Sequence, residues 1–417
     1  MMQEEFLCSD HIFLGGRIIS RDEIKVKFPE WYENGKRASG EKGLSQYCFI
    51  PDYSHGISAS LNAIYSIDFE NATAEYLCSF ENDRNEGGVY FPPIRMGNIL
   101  TFSPLKGYRW AFYNLDTGTW FYEDIPSEFL NDGEIVIKMR VVIDNLLVHV
   151  SENPKVVIVI DLFTQKISYY DCLDRIRQSG GNLPKFSTVI AYGDSVLLFT
   201  ATGNVVYEFD TKSMQIIKTH KIPLECSGIQ QAVVAYGTDC IYLLEHAHAS
   251  RIIKWDIKNG IAEEIADLPI HSKDNLTPGP IWGLCNDFSG LYIIPRQDKC
   301  VLRVDCCENK TNRIELHTEI NLLERKNVFY ERFENGSSFT ILAYNGYRNM
   351  FTVFIPYDFS IAEIDFEKGI FLNQRKWRVN GIEKLVRDSL KSQVDGVYME
   401  NQFFGLKEFV DDLEGKG

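Results

Sequence analysis

The sequence predicts an all-β chain of repeated four-stranded units, and three observations carry that expectation. One short phrase recurs: an apolar run, an aspartate, a polar turn, then a second run with apolar residues. Its aspartates are Asp68, Asp116, Asp161, Asp210, Asp256, Asp305 and Asp365, spaced 48, 45, 49, 46, 49 and 60 residues apart. Such a period is that of a four-stranded blade, about 40–50 residues. The inner runs (VVIVI, SVLLF, LYII) are apolar at consecutive positions. A strand apolar on both faces needs cover on both faces. The links between runs, such as Gly193-Asp194 and Thr202-Gly203-Asn204, are hairpin chemistry tolerant of positive φ. A unit of this kind cannot bury itself alone, so units stack and the array closes. The expected architecture is a seven-bladed β-propeller of four-stranded antiparallel blades with a short C-terminal helical tail.

The elements follow in order. Residues 1–45 do not fit the phrase and form an N-terminal extension, within which HIFLGGRII (11–19) is a candidate ring-closing strand. The propeller itself is expected over 46–380. Unit one has QYCFIP (46–51) and AIYSID (63–68); unit two has GNILTFSP (97–104) and YRWAFYNLD (108–116). Unit three has IKMRVVIDNLLVHV (137–150) and KVVIVID (155–161). Unit four is the clearest: STVIAY (187–192), SVLLFT (195–200), VVYEFD (205–210), then MQIIKTHKI. Unit five has QAVVAY (231–236), CIYLL (240–244) and RIIKWD (251–256). Unit six has GLCNDFSGLYIIP (283–295) and CVLRVD (300–305); unit seven has FTILAYNGYRNMFTVFIP (339–356) and SIAEID (360–365). The insert NLLERKNVFYERF (321–333) accounts for the last, longer spacing. Residues 381–417 change period: Ile382, Leu385, Val386, Leu390 and Val394, then Phe403, Leu406, Phe409, Val410 and Leu413, fall at helical spacing. Two amphipathic helices are expected there, packed on the ring or docking a partner.

The repeated aspartate has a structural reading. Its carboxylate accepts a backbone N–H from two residues on and closes the hairpin between the third and fourth strands. One role then explains all seven positions.

Tyr113-Asn114-Leu115-Asp116-Thr117-Gly118-Thr119-Trp120, with Gly87-Gly88 upstream, resembles the second half of a kelch repeat. Ile253-Lys254-Trp255-Asp256 resembles the end of a WD40 strand, and Ile241 to Pro269 is similar to streptogramin-lyase-like units. No other unit keeps both the glycine pair and the tryptophan, and no Gly-His partner accompanies the WD40-like strand. Each likeness covers about one blade and implies the propeller architecture alone.

Composition narrows the classes of function. A formal net charge of −15 repels a nucleic-acid backbone. The start, MMQEEFLCSD, lacks the basic and apolar regions of a signal peptide, and no run is long enough for a membrane helix. The ten cysteines form no CxxC pair, so reduced thiols in a cytoplasmic protein are expected.

Ligands of a propeller sit over the central channel, where loops joining second and third strands converge with the crossings between blades. Unit five is richest there. Glu245, His246 and His248 suit a divalent metal, with His246 and His248 as ligands on one side of an extended segment and Glu245 as a base. His55, assigned to the equivalent loop of unit one, and His271 are candidate further ligands. Lys106, Tyr108, Arg109, Arg296, Asp298, Tyr357 and Asp358 complete a polar, aromatic-edged mouth for a sugar, a peptide end or a phosphorylated small molecule. The sequence holds no Gly-x-Ser-x-Gly, Walker loop, GxGxxG opening a helix, or His-Glu-x-x-His. Three functions are therefore weighed. They are a binding scaffold for a protein partner or small polar ligand, a metal-dependent lyase or hydrolase, and a structural subunit docked by its tail.

Overall fold

The computed structural model describes residues 11–14, 17–20, 55–58, 63–68, 71–80, 90–91, 93–153, 156–171, 184–234, 240–245, 251–267, 281–286, 291–295, 300–305, 310–315, 340–345, 350–355, 360–365, 368–376 and 378–381. Among them are seven sheets of four or five strands and one two-stranded hairpin, His11–Leu14 with Arg17–Ser20. Sheet 1 contains His55–Ser58, Ala63–Asp68, Thr73–Ser79 and, from the far end of the chain, Arg378–Asn380. Sheet 2 contains Ile94–Met96, Ile99–Phe102, Arg109–Asn114 and Thr119–Asp124. Sheet 3 contains Ile135–Ile143, Leu146–Asn153, Val157–Asp161 and Ile167–Tyr170, with Lys106–Gly107 added at its first strand. Sheet 4 is Phe186–Tyr192, Ser195–Thr200, Val205–Asp210 and Gln215–Lys221. Sheet 5 is Ile229–Val234, Cys240–Glu245, Arg251–Asp256 and Ile261–Asp267. Sheet 6 is Ile281–Asn286, Leu291–Pro295, Cys300–Asp305 and Lys310–Glu315. Sheet 7 is Thr340–Asn345, Met350–Ile355, Ser360–Asp365 and Ile370–Lys376. Each of sheets 4 to 7 is an antiparallel meander in chain order.

Packing explains the unbroken apolar runs. In Ser195–Thr200, Val196 and Leu198 join a cluster with Val148, Val150, Val157 and Val159 of sheet 3. Leu197 and Phe199, on the opposite face, join Ile241, Leu243, Ile253 and Trp255 of sheet 5. Sheet 5 repeats the arrangement, with Tyr242, Leu244 and Ile252 facing Leu291, Ile293, Leu302 and Val304 of sheet 6. Sheet 3 turns Leu147, Ile158 and Ile160 toward Trp110 and Phe112 of sheet 2. Sheet 2 in turn meets Ile64 and Phe80 of sheet 1 through Leu100, Phe102 and Tyr113. First strands of sheets 3, 4, 5 and 6 lie side by side. Successive sheets stacked face to face, with their first strands together, fit a β-propeller.

The aspartate turns differ in detail from the sequence expectation. In sheet 2 the turn residue is Asn114, not Asp116: Asn114 Oδ1 accepts the Asp116 and Thr117 amides at 2.9 and 3.1 Å. Asp116 instead accepts a bond from Asn98 Nδ2. Elsewhere the amide three residues on is bound. Asp161 Oδ1 takes Phe163 and Thr164 N–H at 2.9 Å each, and Asp210 Oδ2 takes Ser213 N–H at 2.6 Å. Asp256 takes Asn259 N–H at 2.8 Å, and Asp365 takes Lys368 N–H at 3.1 Å. The fourth residue on has positive φ in every described case: Ala72, Gly118, Gln165, Met214, Gly260 and Gly369, at 52°, 66°, 57°, 55°, 67° and 66°. The N–H at that position donates back to the carbonyl of the Asx residue at Gly118, Gln165, Met214 and Gly369. The side chains of Asp68 and Asp305 lie outside the described residues.

The segments 46–51, 321–333 and 382–417 also lie outside the described residues. The hairpin holding HIFLGGRII pairs with itself, and its first strand lies beside Thr340–Asn345 of sheet 7. Among the described residues no helix is long and apolar enough to cross a membrane.

Candidate functional site

Two kinds of connection meet at the end of the sheets opposite the aspartate turns. They are the loops between second and third strands and the crossings from one sheet to the next. This end is called the mouth. Between sheets 4 and 5 the mouth is built from loop 201–204 and crossing 222–228. Asn204 Nδ2 donates to the carbonyls of Ile222 (2.9 Å) and Leu224 (3.1 Å), and Ile222 N–H donates to Asn204 (2.9 Å). Gly203 N–H donates to Ser227 (3.0 Å), and Thr200 Oγ1 closes the loop on Val205 (2.9 Å). A Cβ on Gly228 would stand 2.0 Å from the Ala201 carbonyl oxygen, so only glycine lets crossing and loop touch.

Glu245 belongs to this construction. It ends the second strand of sheet 5, is 3% exposed, and its Oε1 accepts the Ser227 N–H at 2.6 Å. A buried carboxylate bound to a crossing amide positions that crossing. His246 and His248 lie outside the described residues, as do His271, Arg296, Asp298, Tyr357 and Asp358. Among the described residues no three His, Cys, Asp or Glu side chains gather as a metal site would require.

Between sheets 2 and 3 the mouth includes three of the residues expected there. Lys106 leaves the loop to pair, strand on strand, with Val136, and its Nζ stands 3.4 Å from Glu134. The Tyr108 carbonyl accepts Ile125 N–H at 2.8 Å. Arg109 lies over the Tyr122 ring, 3.9 Å from its centroid, a cation–π contact that draws the guanidinium along the blade toward its outer strand. Lys106, Tyr108 and Arg109 thus share one loop, but Lys106 and Arg109 are engaged in different directions. His55 is placed otherwise than in the expected loop. It opens a strand and pairs with Ser66, at the end of sheet 1 that carries the aspartate turn.

The structure also brings together residues that sequence reasoning missed. Ser103 Oγ and His149 Nε2 are 2.9 Å apart, a spacing that serves nucleophile and base in hydrolases. Both side chains are fully buried. Among the described residues no carboxylate orients the ring, and His149 Nδ1 has no hydrogen-bond partner. Burial, and then the Arg140 charge, hold the imidazole well below its usual pKa and therefore neutral. With Trp110 at 5.3 Å and Phe91 at 6.3 Å between ring centroids, the pair is a polar tie inside the sheet 2–sheet 3 contact, out of reach of a substrate. The only sequence hint was one polar residue in the run LLVHV, and its partner lies 46 residues away.

No family model matches the chain, and no curated protein matches its sequence. Among solved structures, it is similar to a chain of the mitotic checkpoint complex at 9% identity, covering 66% of this chain and 73% of that one with a TM-score of 0.43. It is also similar to dihydro-heme d1 dehydrogenase NirN in complex with DHE, at 10% identity, 77% and 63% coverage and a TM-score of 0.48. The chain spans less than two thirds of that dehydrogenase's length. What the chain's own sheets and their packing establish is an all-β, propeller-like fold.

Proposed function

We propose that this chain is a closed seven-bladed propeller serving as a cytoplasmic binding scaffold, with its mouth turned to a protein partner. The propeller spans 46–380, between an N-terminal extension (1–45) and a helical tail (381–417). One observation carries the reading. The polar groups of loop 201–204 and crossing 222–228 are largely tied to one another and to Glu245, which favours a stiff rim over a set of groups poised for chemistry. On that rim Glu128, Asp132 and Glu225 are exposed, while Lys106 is offset by Glu134. Added to a net charge of −15, such a rim suits a basic face on the partner.

The test is charge reversal. Glu128→Lys is combined with Glu225→Lys, and the thermal midpoint checks that the double variant is folded. The same pair should abolish cross-linking to the partner that the native protein holds in cell extract, and raised salt should weaken that complex. A substrate turned over by the purified protein, and lost with the same variants, would overturn the scaffold reading.

A further inference from the structure

We propose that the outer strand of sheet 2, Thr119–Asp124, takes an extended basic segment of another protein as a fifth, antiparallel strand. Only sheet 2 is needed for this, closed ring or not.

An outer strand carries a row of N–H and C=O groups that can template another strand, and folded proteins guard it with cover, bulges, basic charge or shortness. The other outer strands are guarded in one of these ways. Arg378–Asn380 covers that of sheet 1. In sheet 3 it is Ile167–Tyr170, four residues long. In sheets 4, 5 and 7 the last pair shifts register, at Glu208/Phe209, Ile252/Ile253 and Ile361/Glu363. In sheet 6 it is Lys310–Glu315, which carries Lys310 and Arg313. Thr119–Asp124 has none of these guards. It runs six residues in unbroken register with Arg109–Asn114, holds no Lys, Arg or Pro, and opens Thr-Trp-Phe-Tyr, all strand-favouring residues. Among the described residues no strand pairs with its outer side.

The backbone fixes which groups are on offer. Ile125 N–H donates inward to the Tyr108 carbonyl at 2.8 Å, one step beyond the pair Asp124 and Arg109. Inward and outward groups alternate along an antiparallel strand. The N–H and C=O of Trp120, Tyr122 and Asp124 therefore point outward. The side chains around them are already ordered. Phe121 is 42% exposed, yet its ring lies 4.4 Å from that of Phe112 with the planes 3° apart. On the other face the Trp120 and Tyr122 rings stack at 5.7 Å, and Arg109 covers Tyr122. A platform ordered beforehand loses little freedom when a strand is added. Charge selects the strand. Glu123 and Asp124 are exposed at one end, and neither has an ion-pair partner among the described residues. An incoming antiparallel segment satisfies them with Arg or Lys, and places an aromatic residue against Phe121 two positions after the one facing Glu123. A second copy of this chain would bring a further −15 and no basic residue in its own strand.

The probe is acetyl-Arg-Lys-Val-Phe-Val-Thr-amide, fluorescently labelled and titrated into the full chain by anisotropy. Aligned antiparallel, its Arg faces Asp124, its Lys faces Glu123 and its Phe faces Phe121. Saturable binding is expected, with slower amide exchange at Trp120 and Tyr122. N-methylation of the two Val residues, whose N–H groups point at the protein, should weaken binding by about tenfold or more. N-methylation of the Phe, whose N–H points away, should change it by less than about twofold. Glu123→Lys with Asp124→Lys should weaken binding by about tenfold. Acetyl-Glu-Glu-Val-Phe-Val-Thr-amide should bind that double variant better than the native chain. No saturation up to about 1 mM peptide would overturn the proposal. Equal losses from the two N-methylation patterns would also overturn it, because side chains alone would then hold the peptide. Binding indifferent to the charge reversal would rule out a basic partner. A dimer in sedimentation that shuts out the peptide would give the edge to a second copy and overturn the proposal.

Discussion

Single side chains in this protein mostly hold backbone in place, and Glu245 shows how that can be separated from chemistry. The Glu245 side chain is buried, and its Oε1 accepts the Ser227 amide in a half-buried contact. Glu245→Gln keeps an acceptor oxygen at that point and should change stability little. Glu245→Ala leaves the amide without a partner and should cost about 2 kcal/mol in urea unfolding. Were Glu245 instead a base, Glu245→Gln would abolish turnover at unchanged stability. His149 adds a pH dependence. Its folded pKa lies below the free value of 6.5, so its neutral burial contributes fully above that pH. The contribution falls away as pH drops from 6.5 toward the lowered folded value. The thermal midpoint should therefore fall between about pH 6.5 and 5, and the double variant Ser103→Ala, His149→Leu should flatten that slope. An unchanged slope would mean that other groups set it.

At the scale of the element, the turn between third and fourth strands is the repeated part. It needs an Asx oxygen at its start and a residue that tolerates positive φ four positions on. Asn114 fills the first role without charge, so Asp161→Asn should be nearly neutral. Asp161→Ala, which loses the Phe163 and Thr164 amides, should cost about 1–2 kcal/mol. Gln165 sits at φ 57°, and Gln165→Gly should stabilise by about 0.5–1 kcal/mol, since relief of left-handed strain exceeds the added chain entropy. Gly260→Ala meets open space and adds strain alone, about 1 kcal/mol. Gly369→Ala would also drive a methyl against the Glu315 carbonyl and should cost clearly more. Equal losses at the two glycines would show that the sheet 6–sheet 7 contact is absent in solution. The period of this turn was legible in the sequence. Its register in sheet 2 was not, because Asn114-Leu115-Asp116 offers two Asx residues two apart, and only the position of Gly118 decides between them. Ala72, Gln165 and Met214 gave no hint of a left-handed backbone, since nothing in those side chains demands it.

For the whole molecule, cover on both faces is the organising fact, and it was readable from runs such as SVLLF because no alternation marks a wet face. The site was far less readable. Mouth residues lie in loops whose partners are elsewhere in the sequence, as Ser227 is 18 residues from Glu245, and polarity alone does not reveal which loop group a backbone amide will claim. Shared cover also sets how damage spreads. Leu197 is buried against sheet 5 and Val196 against sheet 3, so sheet 4 is held by two neighbours and holds both. Leu197→Ala should cost about 3 kcal/mol through lost transfer energy and the cavity left behind. If the stack unfolds as one body, amide hydrogen exchange should quicken in sheets 3, 4 and 5 together, although Leu197 touches only one of the interfaces. Faster exchange confined to the sheet 4–sheet 5 contact would instead show blades opening one at a time, as units of an array coupled only to their neighbours do.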